Sequence, residues 1–274
     1  MRRYDFDELE TNETVGLGSN VSGVHGAPTR PAPFVEELEG TDRLVGSIPR
    51  DQLSVEFQPI VNLLTGGTLA YEVFARCRSE GLVDPQELFA RAMFEKSVGE
   101  LGRTIREIAT RNGTGSTLFF ALHPAELRDR YLVRPDDPIC FHDAPVFVQL
   151  SQASLSGLAA HTVQELSSRG EVGLVLDDLG AGPANLKQLV DLVPRAVKLD
   201  SELVAGIDKS QRKQAVVRAL VSLCGDLGAS LIAKGLDCEA ELQAAVDCGV
   251  EFGQGFVLGE PSELRTCSVW QARK

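Results

Sequence analysis

The sequence has no apolar run long enough to cross a bilayer, and its first ten residues, M-R-R-Y-D-F-D-E-L-E, include no apolar signal region. It is also poor in positive charge, since 27 Lys and Arg residues compare with 39 Asp and Glu residues and give a net charge of -12. This balance argues against nucleic acid or an anionic membrane surface as the main partner, although it leaves room for a local basic pocket. We therefore expect a cytoplasmic protein with no nucleic-acid or membrane partner.

Metal-binding cysteine motifs are absent as well. The six cysteines are scattered, with no C-x-x-C pair and no cysteine–histidine cluster, so neither a zinc site nor a disulfide framework is indicated. No internal repeat is visible. The 274 residues, 43% apolar and 24% charged, are typical of a globular protein with one large domain of barrel size or two small ones.

The N-terminal part of the chain is acidic at first and then rich in Gly, Ser, Asn, Thr and Pro. Such a composition cannot bury enough apolar area to offset the entropy of ordering the chain. We expect a disordered arm over residues 1–44, ending in a short helix over 34–44, then a barrel domain over 45–268 and a tail over 269–274. The alternative is a docking segment that folds on a partner through Tyr4, Phe6 and Leu9.

The stretch V-G-L-V-L-D-D-L-G-A-G organises the rest of the chain. Its branched apolar run, Val172 to Leu176, has the composition of a buried strand and ends in the carboxylates of Asp177 and Asp178. In a barrel of parallel strands, the carboxyl ends of the strands converge on the ligand-binding mouth. Two adjacent acids there need a cation, a basic side chain or water, unless they only form a turn and cap the next segment.

Strand-like and helix-like segments alternate along the chain at the spacing of a barrel. We predict strands over 53–61, 68–76, 116–122, 145–150, 172–176, 196–199, 230–233 and 252–256. Helices are predicted from Asp84-Pro85 onward and over 159–168, 185–192, 209–227 and 239–248. A single α/β barrel is the simplest architecture with this order of elements.

The second predicted strand, T-L-A-Y-E-V-F-A-R, places three functional side chains on one face. Because side chains alternate between the faces of a strand, Glu72, Phe74 and Arg76 point the same way. This is consistent with an edge that binds an anion and stacks on a base. Taken alone, the pattern favours the simpler interpretation of a cross-strand ion pair.

Several motifs together resemble a known family. F-Q-P-I-V-N-L-L-T-G, E-V-F-A-R, L-D-D-L-G-A-G, V-K-L-D and Q-G-F-V-L-G-E-P occur in the order and spacing of the bacterial EAL domain, the cyclic-di-GMP phosphodiesterase domain. The resemblance covers roughly residues 45 to 265. It implies a TIM-like (β/α)8 barrel whose first strand runs antiparallel to the others, often assembled as a homodimer near its active face.

Active members of this family resemble two-metal hydrolases, in which Mg²⁺ or Mn²⁺ is held by carboxylates and an asparagine. By this resemblance, Glu72 stands at the signature glutamate, and Asp177 and Asp178 stand at the aspartate pair. Lys198 matches the lysine that assists the attacking water. These four catalytic positions are retained.

Other positions depart from the family pattern. Ala121 stands where an asparagine ligand is expected, Gln149 replaces a glutamate, and Gln152 replaces the second acid of that motif. Lys234 replaces the glutamate of a strand end, and the acid after it is shortened to Asp237. Since an ammonium group repels a metal cation, we expect no bound metal, no other cofactor and no enzymatic activity.

The retained acids would repel one another without a metal. A unit charge about 4 Å away is worth roughly 4 kcal/mol at an effective dielectric constant near 20. Lys234, together with Lys198, could supply the missing positive charge to Glu72, Asp177 and Asp178. We therefore expect an internal cluster of ion pairs in place of the metals.

The resemblance leaves three functions open. The first is a metal-independent cyclic-di-GMP receptor, favoured because Arg76 matches the phosphate-contacting arginine and Gln58 the base-facing glutamine. The second is an EAL-derived regulator that binds an unidentified protein partner and no nucleotide, and the third is an active phosphodiesterase. The ligand-binding positions implied for the receptor are Gln58, Phe74, Arg76, Asp178, Gln254, Gly255 and Phe256.

Overall fold

The computed structural model describes residues 44–127, 132–151, 162–163, 165–166, 172–181 and 186–264. Most of the expected arm, the docking segment, Gln152, most of the helix predicted over 159–168 and the C-terminal tail lie outside these residues. Leu44 begins a short strand, so the helix expected over 34–44 does not extend to its last residue. Within the described part of the chain, no helix is long and apolar enough to cross a membrane.

The strands form a small hairpin followed by a closed barrel. The hairpin pairs β1 (Leu44–Val45) with β2 (Ile48–Pro49). The barrel has the order β10-β3-β4-β5-β6-β7-β8-β9. Its strands are β3 (Leu53–Asn62), β4 (Thr68–Cys77), β5 (Leu118–Ala121), β6 (Val146–Leu150), β7 (Val172–Leu179), β8 (Ala196–Leu199), β9 (Ser230–Lys234) and β10 (Phe252–Gln254).

Strand direction confirms the expected TIM-like barrel. β3 pairs antiparallel with both of its neighbours, β4 and β10, and the other neighbouring strands of the barrel pair in parallel. The β3–β4 register places Gln58 opposite Glu72 and Glu56 opposite Phe74. Gln58 therefore lies on the strand next to the one that carries Phe74 and Arg76.

Helices cover the outside of the barrel between strands. Asp84 caps the first helix by accepting a hydrogen bond from the Gln86 backbone N–H, and Pro85 occupies the first turn, where its missing N–H costs nothing. Leu101, Ile105 and Ala109 form the buried face of the second helix. The helices are α1 (Pro85–Phe94), α2 (Val98–Asn112), α3 (Leu186–Leu192), α4 (Ser201–Val204), α5 (Gln211–Asp226) and α6 (Glu239–Asp247).

One apolar layer fills the barrel interior. The rings of Phe119 and Phe147 stack with their centroids 4.7 Å apart. Neighbouring strands contribute further buried side chains to the same cluster, which closes the barrel below the mouth. The members from all eight strands include Ile60, Ala70, Phe119, Phe147, Val175, Ala196, Ile232 and Phe252.

Candidate functional site

The alternation of side chains along each strand places a second layer, polar except for Ala121, above this apolar one. Each strand contributes one residue, two positions from its member of the apolar layer and on the same face. We call these residues the mouth layer, and they include every retained or substituted catalytic position of the resemblance except Asp178, Asp237 and Gln152, the last of which lies outside the described residues. They are Gln58, Glu72, Ala121, Gln149, Asp177, Lys198, Lys234 and Gln254.

Glu72 is the centre of a buried hydrogen-bonded network. Its carboxylate accepts hydrogen bonds from Lys198 Nζ at 2.8 Å, from Gln149 Nε2 at 2.6 Å and from Gln254 Nε2. Gln254 Nε2 also donates to Gln58 Oε1 at 2.9 Å. All five side chains are buried. Because a buried carboxylate needs a counter-charge, the ion pair with Lys198 is what stabilises the negative charge of Glu72 in this network.

The segment after β10 is held against the same network. Gln58 Nε2 donates to the Gly259 carbonyl oxygen at 3.0 Å, and Phe57 and Ser262 exchange two backbone hydrogen bonds of 2.8 and 3.1 Å. Gly255 lies so close to the Leu236 backbone that a Cβ atom there would overlap it. The Q-G-F turn therefore requires glycine for a close approach between two chain segments.

Lys234 points into the mouth between the two aspartates. Its ammonium group lies 3.0 Å from Asp177 Oδ1 and also contacts Asp178 Oδ1. Burial opposes the charged form, but the charges of Asp177 and Asp178 and the hydrogen bonds to them raise the pKa of Lys234 above its ordinary value. The expected counter-charge is confirmed, with Lys234 on the aspartate pair and Lys198 on Glu72.

The backbone around the aspartates differs from the prediction. β7 does not end at Leu176 but continues to Leu179, with a shift of its register against β8 between these two residues. Asp178 adopts a left-handed φ of 58°, and its N–H donates to Asp177 Oδ1 at 2.8 Å. This irregularity brings two successive carboxylates to the same ammonium group, which a regular strand would separate onto opposite faces.

Arg76 and Phe74 lie at the rim of the mouth. The Arg76 guanidinium carbon is 5.8 Å from the centroid of the Phe74 ring, a cation–π arrangement. Arg76 also forms a cross-strand ion pair, with its Nε and one terminal nitrogen each 2.8 Å from Glu56 Oε2. The cross-strand ion pair is therefore present, and binding of an anion and a base at this edge stays a prediction.

The remaining predicted positions are more exposed. Ala121 is exposed at the end of β5 and offers no ligating side-chain atom. Asp237 is exposed too, and its carboxylate accepts a 3.4 Å hydrogen bond from the Phe256 backbone N–H. The Phe256 side chain is 60% exposed and presents an aromatic surface to solvent.

Sequence reasoning missed a second charged cluster behind β5. Arg106 on α2 bonds Glu126 at 2.7 Å and Asp137 at 2.9 Å, with all three side chains almost fully buried. Burial raises the pKa of Glu126 despite the favourable charge of Arg106. The sequence does carry one indication of this cluster, which is a glycine, Gly102, inside a helical pattern. In the structure, a Cβ atom at Gly102 would overlap the Glu126 carboxylate.

The arrangement determines what the mouth can bind. Its three carboxylates and two ammonium groups leave one net negative charge in the centre, with the half-exposed Arg76 at the rim. The Oε1 atoms of Gln149 and Gln254 are buried without a hydrogen-bond partner among the described residues. Within the same residues, no group of three or more His, Cys, Asp or Glu side chains is placed to hold a metal ion.

Comparison with known proteins identifies relatives of this barrel. The cyclic di-GMP phosphodiesterase RocR of Pseudomonas aeruginosa is 27% identical over 242 residues, which cover 83% of this chain and 62% of that protein. The cyclic di-GMP phosphodiesterase PdeR of Escherichia coli is also 27% identical, over 83% of this chain and 36% of its own length. This chain thus corresponds to only part of each relative.

The fold is shared with solved structures. Klebsiella pneumoniae BlrP1, solved as a manganese and cyclic-di-GMP complex, superposes with a TM-score of 0.69 at 25% identity, covering 77% of this chain and 56% of that one. The sequence model of the protein family described as EAL domain matches residues 41–261, which is most of the chain. This protein therefore belongs to the EAL domain family.

Proposed function

We propose that this EAL domain is catalytically inactive and binds cyclic-di-GMP without a metal ion. The observation that carries the proposal is the Lys234 ammonium group, which lies between Asp177 and Asp178. By the family resemblance, these two aspartates belong to the metal site. An ammonium group that is already bonded to both of them takes the place of a metal ion there.

The residues of the mouth do not fit a pair of divalent metal ions. Mg²⁺ and Mn²⁺ bind oxygen and need a nearly full set of anionic ligands. Gln149 instead directs its amide N–H at Glu72, Ala121 provides no ligand atom, and Lys234 brings a positive charge. The proposed function therefore includes no metal-dependent hydrolysis.

The rim supports binding of an anionic dinucleotide. Cyclic-di-GMP carries two phosphates and two guanine bases, and it needs a cationic group for the phosphate and flat surfaces for the bases. Arg76 stacked over Phe74 offers both kinds of surface, and the exposed Phe256 ring adds a second aromatic face. BlrP1, the solved relative described above, holds this ligand in its complex.

A protein-binding role is the second candidate, and an exposed apolar stripe favours it. Leu186 and Val190 on α3, with Val193 just after the helix, are 49%, 65% and 70% exposed. They are spaced at helical intervals on the segment that follows the mouth aspartates. This stripe would suit a homodimer or a separate protein partner, as the resemblance leads us to expect.

Calorimetric titration tests the receptor. Cyclic-di-GMP is titrated into the protein in Mg²⁺ and again in EDTA, and the mixtures are chromatographed for the linear product pGpG. We expect binding of equal affinity in both buffers and no pGpG. Formation of pGpG only in Mg²⁺ would establish an active phosphodiesterase, and no heat in either buffer would leave the protein-binding role.

A matched pair of variants locates the ligand. Arg76→Ala should weaken binding by roughly tenfold to a hundredfold, because it removes the cationic group at the rim. Arg50→Ala is the control, since Arg50 makes a similar half-exposed ion pair with Glu107 at 2.7 Å on the outer surface. Equal loss of binding in both variants would place the ligand elsewhere.

A further inference from the structure

Glu56 holds the side of Arg76 that a phosphate would use. The Nε atom and one terminal nitrogen of the guanidinium group both contact a single oxygen of Glu56, each at 2.8 Å. The other terminal nitrogen donates to the Ala75 carbonyl oxygen at 3.1 Å. Arginine binds phosphate through two parallel N–H donors on one edge, so a ligand phosphate must compete with Glu56 for that edge.

The position of Glu56 is fixed by the barrel. Glu56 and Gln58 are two residues apart on β3 and share a face, and the register places them opposite Phe74 and Glu72. Ser54 lies opposite Arg76, so Glu56 reaches the guanidinium group as its diagonal neighbour. The competing carboxylate is thus part of the mouth and not a distant surface charge.

The pair is exposed enough for a ligand to displace it. The side chains of Arg76 and Glu56 are 32% and 34% exposed. Ion pairs at this exposure contribute little to stability and exchange with solvent. The Phe74 ring below the guanidinium group keeps Arg76 at the rim when the carboxylate moves away.

We infer that Glu56 is an internal competitor for the ligand phosphate, and that it sets the affinity of the mouth for phosphodiester dianions. This inference rests on the proposed function of the same site. Glu56 would act by bonding the Arg76 donors in the free protein, so that the incoming dianion has to displace its carboxylate. A receptor built in this way responds to a higher ligand concentration than one with a free arginine.

Calorimetric titration of cyclic-di-GMP into Glu56→Gln in EDTA tests the inference. The variant keeps the size of the side chain and loses its charge, and we expect the affinity to rise about fivefold, the factor that corresponds to a half-exposed ion pair. Glu107→Gln is the matched control, because Glu107 is also 34% exposed, pairs with an arginine and changes the net charge by the same amount. Its affinity should equal that of the wild type.

A double variant separates competition from general repulsion. In an Arg76→Ala background, Glu56→Gln should give no more gain than Glu107→Gln, because the donors that it releases are gone. A fivefold gain that survives without Arg76 would overturn the inference. Thermal unfolding of each variant checks that the barrel is intact.

The outcomes also distinguish this inference from the receptor proposal. Binding by the wild type with no difference between Glu56→Gln and Glu107→Gln would overturn the role of Glu56 and leave the receptor standing. Binding by Glu56→Gln alone would support the role of Glu56 and reject the wild-type protein as a receptor. No binding by any variant would overturn both.

Discussion

Replacing Lys234 with methionine tests whether its ammonium group neutralises the mouth aspartates. The change keeps most of the side-chain volume and leaves Asp177 and Asp178 adjacent without their cation. A unit charge about 4 Å away is worth roughly 4 kcal/mol at an effective dielectric constant near 20, and partial exposure of the side chains reduces this value. We therefore expect Lys234→Met to lower the free energy of unfolding by about 2 kcal/mol.

Urea denaturation in EDTA at neutral pH measures this loss. Lys187→Met is the control, since Lys187 pairs with Asp191 on the exposed surface of α3 and should change stability by less than about 0.5 kcal/mol. The raised pKa of Lys234 fixes the pH dependence, because the group is fully charged below the ordinary value of 10.5. The difference between wild type and Lys234→Met should stay constant up to that pH and shrink as the pH rises further.

The same variant should acquire a response to divalent cations. With the ammonium group removed, about 10 mM Mg²⁺ acting at a dissociation constant of about 1 mM would restore roughly 1.4 kcal/mol, and the wild type should show no such gain. If Lys234→Met were as stable as the wild type and neither Mg²⁺ nor Mn²⁺ changed its stability, the view that Lys234 takes the place of a metal ion would be refuted.

Three further changes follow from the packing. Val193→Gly should raise the free energy of unfolding by about 1 kcal/mol in chemical denaturation, because Val193 holds a left-handed φ of 47°, which glycine adopts without strain. Its exposed side chain makes few contacts to lose, and an unchanged midpoint would contradict the prediction. Gly102→Ala should lower it by about 3 kcal/mol, because the added Cβ would displace Glu126 from Arg106, whereas the exposed Gly225→Ala should be tolerated. The stability of Glu126→Gln relative to the wild type should increase as the pH rises above 4.5, because burial raises the pKa of Glu126 and makes its ionisation costly in the folded state. Parallel pH profiles of the urea midpoints of the two proteins would exclude this.

Much of the barrel was predictable because its strands carry local signals. The strand over Ala196–Leu199 was predicted with its observed bounds, and β4 and β9 differ from the prediction by a single residue. Strand ends were less well predicted. The fifth and last predicted strands were wrong at their carboxyl ends, since β7 continues to Leu179 and β10 stops at Gln254.

The mouth layer was predictable for a related reason. Strict alternation along a strand fixes which residues share a face, and family motifs identify the strand ends that meet. The sequence also indicated that the acids need positive partners, and Lys234 and Lys198 supply them. The assignment of each lysine to its carboxylate depended on distances that no motif encodes.

The sequence by itself determined the order of strands and helices, the face on which Glu72, Phe74 and Arg76 lie, and the charges brought to the mouth. Only the tertiary structure decided which charges meet: Arg76 with Glu56, and Arg106 with Glu126 and Asp137. The physical reason is that a side chain's partner depends on strand register and helix packing, which arise from burial across the whole barrel. The local pattern encodes periodicity, whereas the closed barrel sets the distances between its residues.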